Sequence, residues 1–137
     1  MAEPMNTIYA REDYLGADEY IDVVAKSGLN RPIGDRSRVE RMLAHANLIL
    51  TARQDGKLVG FARSLTDFCF CCYLSDLAVD KACQGQGIGK RLIEETRVHA
   101  GGDLTTTLLL SAPTAMTFYQ GIKMPNADNC FLYRRKR

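Results

Sequence analysis

Apolar and polar positions repeat with two different periods along this chain, and each change of period marks a new element. Met5 to Ala10 reads as a short strand. From Arg11 to Ser27 the residues Ala17, Tyr20, Ile21 and Val24 recur at helical spacing, and Gly28 stops the helix. Leu29 to Gly34 contains Pro32 and Gly34 and reads as a loop. Ser37-x-x-Glu40 fits a capping box, which predicts a second helix burying Val39, Met42, Leu43 and Ala46. Leu48 to Gln54 and Lys57 to Leu65 are apolar runs joined by Asp55-Gly56, the pattern of a hairpin closed by a type I′ turn. A third strand from Phe68 to Val79 would complete an antiparallel meander. Then Ile88, Leu92, Ile93, Thr96 and Ala100 form one helical stripe, ended by Gly101-Gly102. Leu104 to Leu110 is a further strand, and its strand-helix-strand connection makes it parallel to its predecessor. Pro113 sits in the first turn of a last helix, which has Ala115, Phe118 and Tyr119 on its apolar side and ends at Gly121. Phe131 and Tyr133 predict a final edge strand.

Between the third strand and its helix lie Gly85, Gly87 and Gly89. The first N–H groups of a helix have no intrahelical partner and carry partial positive charge. Glycines there let the backbone close around an anion, most often a phosphate. The loop Gly-x-x-x-x-Gly-Lys-Ser/Thr is excluded, because Gly89-Lys90 is followed by Arg91. The dinucleotide pattern Gly-x-Gly-x-x-Gly also fails, since the third glycine comes one residue early.

Gln84-x-x-Gly87-x-Gly89, preceded by Asp76-Leu77-Ala78-Val79-Asp80, resembles the acetyl-CoA motif of the GNAT superfamily of N-acetyltransferases. The element order β-α-α-β-β-β-α-β-α-β is also similar to that family. The resemblance implies a single α+β domain over residues 1–137, with a mostly antiparallel central sheet splayed at the cofactor site. It further implies that backbone groups of Leu77, Ala78 and Val79 meet the pantetheine arm of acetyl-CoA. The pyrophosphate would rest on Gln84, Gly85, Gln86, Gly87, Ile88, Gly89 and Lys90. A second family block is similar to Ala112-x-x-Ala115-x-x-Phe118-Tyr119, with Ala112 where the family carries asparagine. Phe118 is then expected at the cofactor, and Tyr119 matches the family's general acid. A phenol with pKa of about 10 stays protonated at neutral pH and is matched to a departing thiolate. An oxyanion would meet a backbone N–H near Leu77. Asp76, beside the strand bulge that the resemblance implies near Leu77, is the expected base, with Asp67 at the start of the same strand as an alternative and water as a third.

Composition narrows the partners. A net charge of +2 gives no case for nucleic acid, and a content of 46% hydrophobic and 25% charged residues is that of an ordinary globular domain. No apolar run reaches the roughly 20 residues needed to cross a bilayer. Met1-Ala2-Glu3-Pro4 lacks the order of a signal peptide, so a cytoplasmic location is expected. Cys69, Cys71, Cys72, Cys83 and Cys130 read as small buried apolar residues, and no metal site is expected. Arg31, Arg36, Arg38 and Arg41 form either an anion-binding rim or a solvated helix face. Arg134 to Arg137 is read as a solubilising end.

These readings converge on an acetyl-CoA-dependent N-acetyltransferase acting on a primary amine of a small molecule, as a homodimer. The competing functions are a non-catalytic acyl-CoA sensor and a small nucleic-acid module using the basic tail.

Overall fold

The computed structural model describes residues 6–137. The predicted strand start at Met5 lies outside the described residues. Five strands form one sheet in sequence order: β1 (Thr7–Arg11), β2 (Leu48–Gln54), β3 (Lys57–Thr66), β4 (Cys71–Val79) and β5 (Thr106–Leu108). Neighbours run antiparallel except β4 and β5, which are parallel. Helices α1 (Ala17–Ser27) and α2 (Arg36–His45) cover one face, where Tyr20, Val24 and Val39 pack on Ile49, Leu58 and Phe61. Helix α3 (Ile88–His99) covers the other, with Ile88, Leu92 and Ile93 against Leu50, Ala62 and Leu74. The short α4 (Met116–Gly121) follows a turn of 3-10 helix begun by Pro113, and Tyr119 and Ile122 pack on the α3 side. Among the described residues no helix is long and apolar enough to cross a membrane.

The periodic signals hold where tertiary packing agrees with them. Asp55 (φ 52°) and Gly56 (φ 78°) both take the left-handed conformation that a type I′ turn requires. The α3 stripe is buried as spaced, including Thr96 and Ala100. The mixed five-stranded sheet has the α+β class expected.

Several boundaries differ. Helix α1 starts at Ala17, because Glu12 is held by Arg53 and Leu15 is buried in the core before the first turn. Arg53 Nε meets Glu12 at 2.9 Å and Arg53 Nη1 meets Glu19 at 2.6 Å, tying this entry loop to β2. Helix α2 is capped by Asp35, whose carboxylate accepts from Arg38 N at 3.1 Å, and not by Ser37. Strand β4 starts at Cys71. Before it, Asp67 Oδ1 accepts from the N–H groups of Cys69, Phe70 and Cys71, and Phe68 adopts φ 65°. The final strand is absent: residues 125–137 form neither helix nor strand, with Phe131 and Tyr133 fully exposed. Three residues of β5 offer too short an edge to fix the pairing of another strand. Only Cys72 is buried, while Cys69, Cys71 and Cys130 are exposed, so the reading of the cysteines as core residues fails for those three.

Candidate active site

The turn between β4 and α3 is built to present backbone N–H groups. Asp80 N donates to Val59 O at 2.8 Å, and the Asp80 carboxylate caps the turn Lys81–Cys83 through Ala82 N. Gln84 Nε2 donates to Val79 O at 3.1 Å, and Gln86 Oε1 accepts from Gln54 Nε2 at 3.0 Å. Both glutamine side chains therefore brace the loop. Gly85 (φ 83°) and Gly87 (φ 81°) take left-handed conformations that side chains disfavour, and a Cβ on either would meet nothing within 4 Å. These two glycines serve the backbone path and leave open space in front of it. The first intrahelical bond of α3 runs from Arg91 N to Gly87 O, so the N–H groups of Ile88, Gly89 and Lys90 have no partner within the helix. The first turn of α3 holds no acidic residue. The Ile88 side chain is buried, so this position offers only its backbone.

Gly89 has a different function. A Cβ there would lie 2.9 Å from Phe118 Cζ, so the missing side chain lets α4 dock against the start of α3. Phe118 in turn meets Tyr119 edge to face, with centroids 5.0 Å apart. Gly89→Ala is expected to push the partly exposed Phe118 ring aside and cost no more than about 1 kcal/mol, the low end of the overpacking range. Chemical denaturation checks this; an unchanged midpoint would show that α4 does not depend on the contact.

Strands β4 and β5 stay paired only from Cys71–Thr106 to Tyr73–Leu108, then part. A gap opens beside Leu74 to Val79. Ser75 is a bulge: Arg63 pairs with Asp76 and Ser64 with Leu74, leaving Ser75 without a partner on β3. The bulge thus falls two residues before Leu77, the position the motif implied. It reverses the facing of the rest of β4, turning Leu77 and Val79 to the α3 side, and Asp76 and Ala78 to the α1 side. Tyr119 stands on the α3 side. Burial pushes its phenol above the usual value, and the charge of Arg31, from the opposite face, partly offsets this.

Asp76 does not sit as a base would. It is 0% exposed and accepts from Arg63 Nε at 2.6 Å, Arg31 Nε at 2.6 Å and Tyr20 Oη at 2.7 Å. Burial raises its pKa, but Arg63 and Arg31 outweigh this and hold the carboxyl below its usual range. It is therefore ionised and fully engaged. Arg31 Nη2 also donates to Ser75 O at 2.6 Å, so the loop after α1 is strapped to the bulge. The alternative base, Asp67, is spent on its turn; N–H groups of Cys69, Cys71 and Phe70 hold its pKa at about 2. Sequence reasoning missed the role of Arg63 and Tyr20, and left Arg31 in a surface cluster. Of the other arginines of that cluster, Arg36 and Arg41 are exposed, with Arg36 paired to Asp18 and Glu40, and the half-buried Arg38 donates to Arg137 O at 3.2 Å.

Along α3, the helix, β5 and residues 122–125 border a half-open cavity of about 460 Å³ that reaches the start of the helix at Lys90. Lys90, Arg97 and Lys123 line it against one carboxylate, Glu94. Among the described residues no group of three or more His, Cys, Asp or Glu side chains could hold a metal ion.

Comparison with known proteins places this arrangement. Two plant proteins resemble the chain. One is the GCN5-related N-acetyltransferase 2, chloroplastic, of Arabidopsis thaliana, 35% identical over 71 residues, 51% of this chain and 28% of that protein. The other is the Serotonin N-acetyltransferase 2, chloroplastic, of Oryza sativa subsp. japonica, 28% identical over 124 residues, 85% of this chain and 61% of that protein. The chain thus spans less than two thirds of either relative. The fold matches the aminoglycoside N-acetyltransferase AAC(6')-Iy in complex with CoA, with a TM-score of 0.72 at 14% identity, covering 100% of this chain and 99% of that one. Residues 22–122, which hold the glycine turn, the bulge, Asp76 and Tyr119, match the family described as Acetyltransferase (GNAT) domain, and the chain belongs to that family.

Proposed function

We propose that the chain transfers an acetyl group from acetyl-CoA to a primary amine, with Tyr119 as general acid. The observation that carries this is the open turn at Gly85 and Gly87, which leads into unpartnered N–H groups of α3 on one side of the β4–β5 gap. A pyrophosphate fits there, because the backbone donors converge with no acid to compete. Lys90, in the first turn of α3, adds positive charge there, while Arg97 and Lys123 line the adjoining cavity.

When bound, acetyl-CoA supplies a thioester carbonyl open to attack and a sulfur able to leave. As the N–C bond forms and the C–S bond breaks, Tyr119 Oη gives its proton to the sulfur and recovers one from water. Its raised pKa keeps it protonated throughout the neutral range. With Asp76 held by two arginines and Asp67 by its turn, the proton of the amine leaves to water. Backbone N–H groups of β4 near Leu77 would stabilise the developing oxyanion.

Acetyl-CoA at 100 times its Kd should stabilise the fold by about 2.7 kcal/mol and raise the melting midpoint by several degrees, where ATP and NAD do not. No shift would remove the cradle from the proposal. Ala112, in place of the family's asparagine, supports one rival, a sensor that binds the acyl-CoA without transfer. Release of free thiol from acetyl-CoA in the presence of an amine separates the two.

A further inference from the structure

At the fork of β4 and β5, on the α1 side of the sheet, three apolar side chains lie in one cross-strand row. Leu65 pairs with Tyr73, and Tyr73 with Leu108, so all three point to the same face. Cys72 and Leu74 point to the other and are buried under α3. The row is open, at 41%, 37% and 45% exposure, because α1 and α2 end their cover over Arg63 and Asp76. Tyr73 and Leu108 are the last pair before the two strands part, so the row borders the gap where transfer would take place.

The charges around the gap are equally one-sided. Asp76 is the only carboxylate on β3, β4 and β5, and no acidic residue occurs from Leu104 to Ala127 or from Gly28 to Gly34. That one carboxylate is buried and engaged by Arg31 and Arg63, so the cluster carries a net charge of +1. The exposed carboxylate next along the chain, Asp67, lies two residues past Leu65, and its Oδ1 is already held by three N–H groups of its own turn. A second ammonium group on an acceptor would face Arg31 and Arg63, whose charge exceeds that of Asp76. An apolar body would find the row of Leu65, Tyr73 and Leu108.

We infer that the acceptor is a monoamine on an apolar or aromatic body, seated on the Leu65–Tyr73–Leu108 row, and that polycationic amines are excluded. This rests on the acetyl-transfer proposal for the same site. Desolvating an apolar body on the row contributes roughly 25 cal/mol per Å² buried, whereas a charge left unpaired beside another of like sign is repelled.

The test compares 2-phenylethylamine with spermidine and kanamycin, by thiol release from acetyl-CoA and by calorimetric binding to the protein saturated with CoA. The expected result is a kcat/KM for 2-phenylethylamine at least about tenfold above either polycation, the scale a well-fitted apolar contact provides. Tyr73→Ser and Leu108→Ser should each raise its KM several-fold with kcat nearly kept and the fold intact by circular dichroism. Spermidine or kanamycin turning over as well as 2-phenylethylamine would overturn the inference. So would an unchanged KM in both variants, or a dimer in solution that Tyr73→Ser dissociates, which would give the row to a second copy of the chain. If no amine releases thiol although acetyl-CoA binds, the transfer proposal fails by itself. Binding of 2-phenylethylamine to the CoA-loaded protein, and its loss in Tyr73→Ser, then decides the inference separately.

Discussion

Tyr119→Phe is expected to lower kcat by about 10²- to 10⁴-fold, the contribution of a positioned general acid, while leaving acetyl-CoA affinity nearly unchanged. The ring should stay in place, since it packs with the α3-side core and against Phe118. Only the hydroxyl is removed. Burial raises the Tyr119 pKa, so its acid form is fully present below the ordinary phenol value of 10 and is lost as pH rises through the raised one. The wild-type rate should therefore fall off only in strong base, and this limb should vanish in Tyr119→Phe. Steady-state kinetics across pH, beside titration of acetyl-CoA, measures both. Undiminished turnover would take Tyr119 out of the mechanism and leave the sulfur to depart as the free thiolate.

The parts of this site that were legible in sequence are those set by local backbone demands. Gly85 and Gly87 had to be glycine because the chain turns left-handed at both, and the apolar stripe of α3 announces the helix behind them. Long-range pairings were not legible in the same way. Arg63 and Asp76 are each the lone charge buried in an apolar strand, a combination that itself signals a partner. Simple alternation puts Asp76 on the face of Leu74, away from Tyr20 and α1. The bulge at Ser75 reverses that facing, and nothing in the period of the apolar residues reveals a bulge. Arg31 was hidden for another reason: four arginines in eleven residues read as a charged surface, and only the fold separates the one reaching Asp76 from Arg36, which pairs with exposed acids. The exposed cysteines and the absent last strand have a common origin. Alternation identifies a face, but whether α1 and α2 extend far enough to cover Cys71, or β5 far enough to pair with Phe131, is decided by element lengths.

Asp76→Asn is expected to destabilise the fold by about 3–5 kcal/mol, the cost of removing one member of a buried ion pair and leaving the other charges uncompensated. Arg63 and Arg31 have side chains only 8% and 21% exposed, so solvent cannot replace the lost carboxylate. Against a total stability of about 5–15 kcal/mol this is a large loss, lowering the midpoint by on the order of 10 °C or more. Arg36→Met, which breaks the exposed pairs with Asp18 and Glu40, should leave the midpoint nearly unchanged. The pH dependence carries the same signature. Because the folded pKa of Asp76 is depressed, its contribution is complete above the unfolded value of about 3.9 and is lost as pH falls through the lower folded value. The gap in stability between wild type and Asp76→Asn should therefore close in acid. Activity separates the two roles a carboxylate here could have. A residue that straps Arg31 and the bulge in place loses stability and acceptor affinity together when its charge is removed, and the pH profile of kcat keeps its shape. A general base would leave stability intact and delete the acidic limb of that profile. A stable, inactive Asp76→Asn enzyme would return Asp76 to the chemistry and assign the Arg31 strap to another anchor.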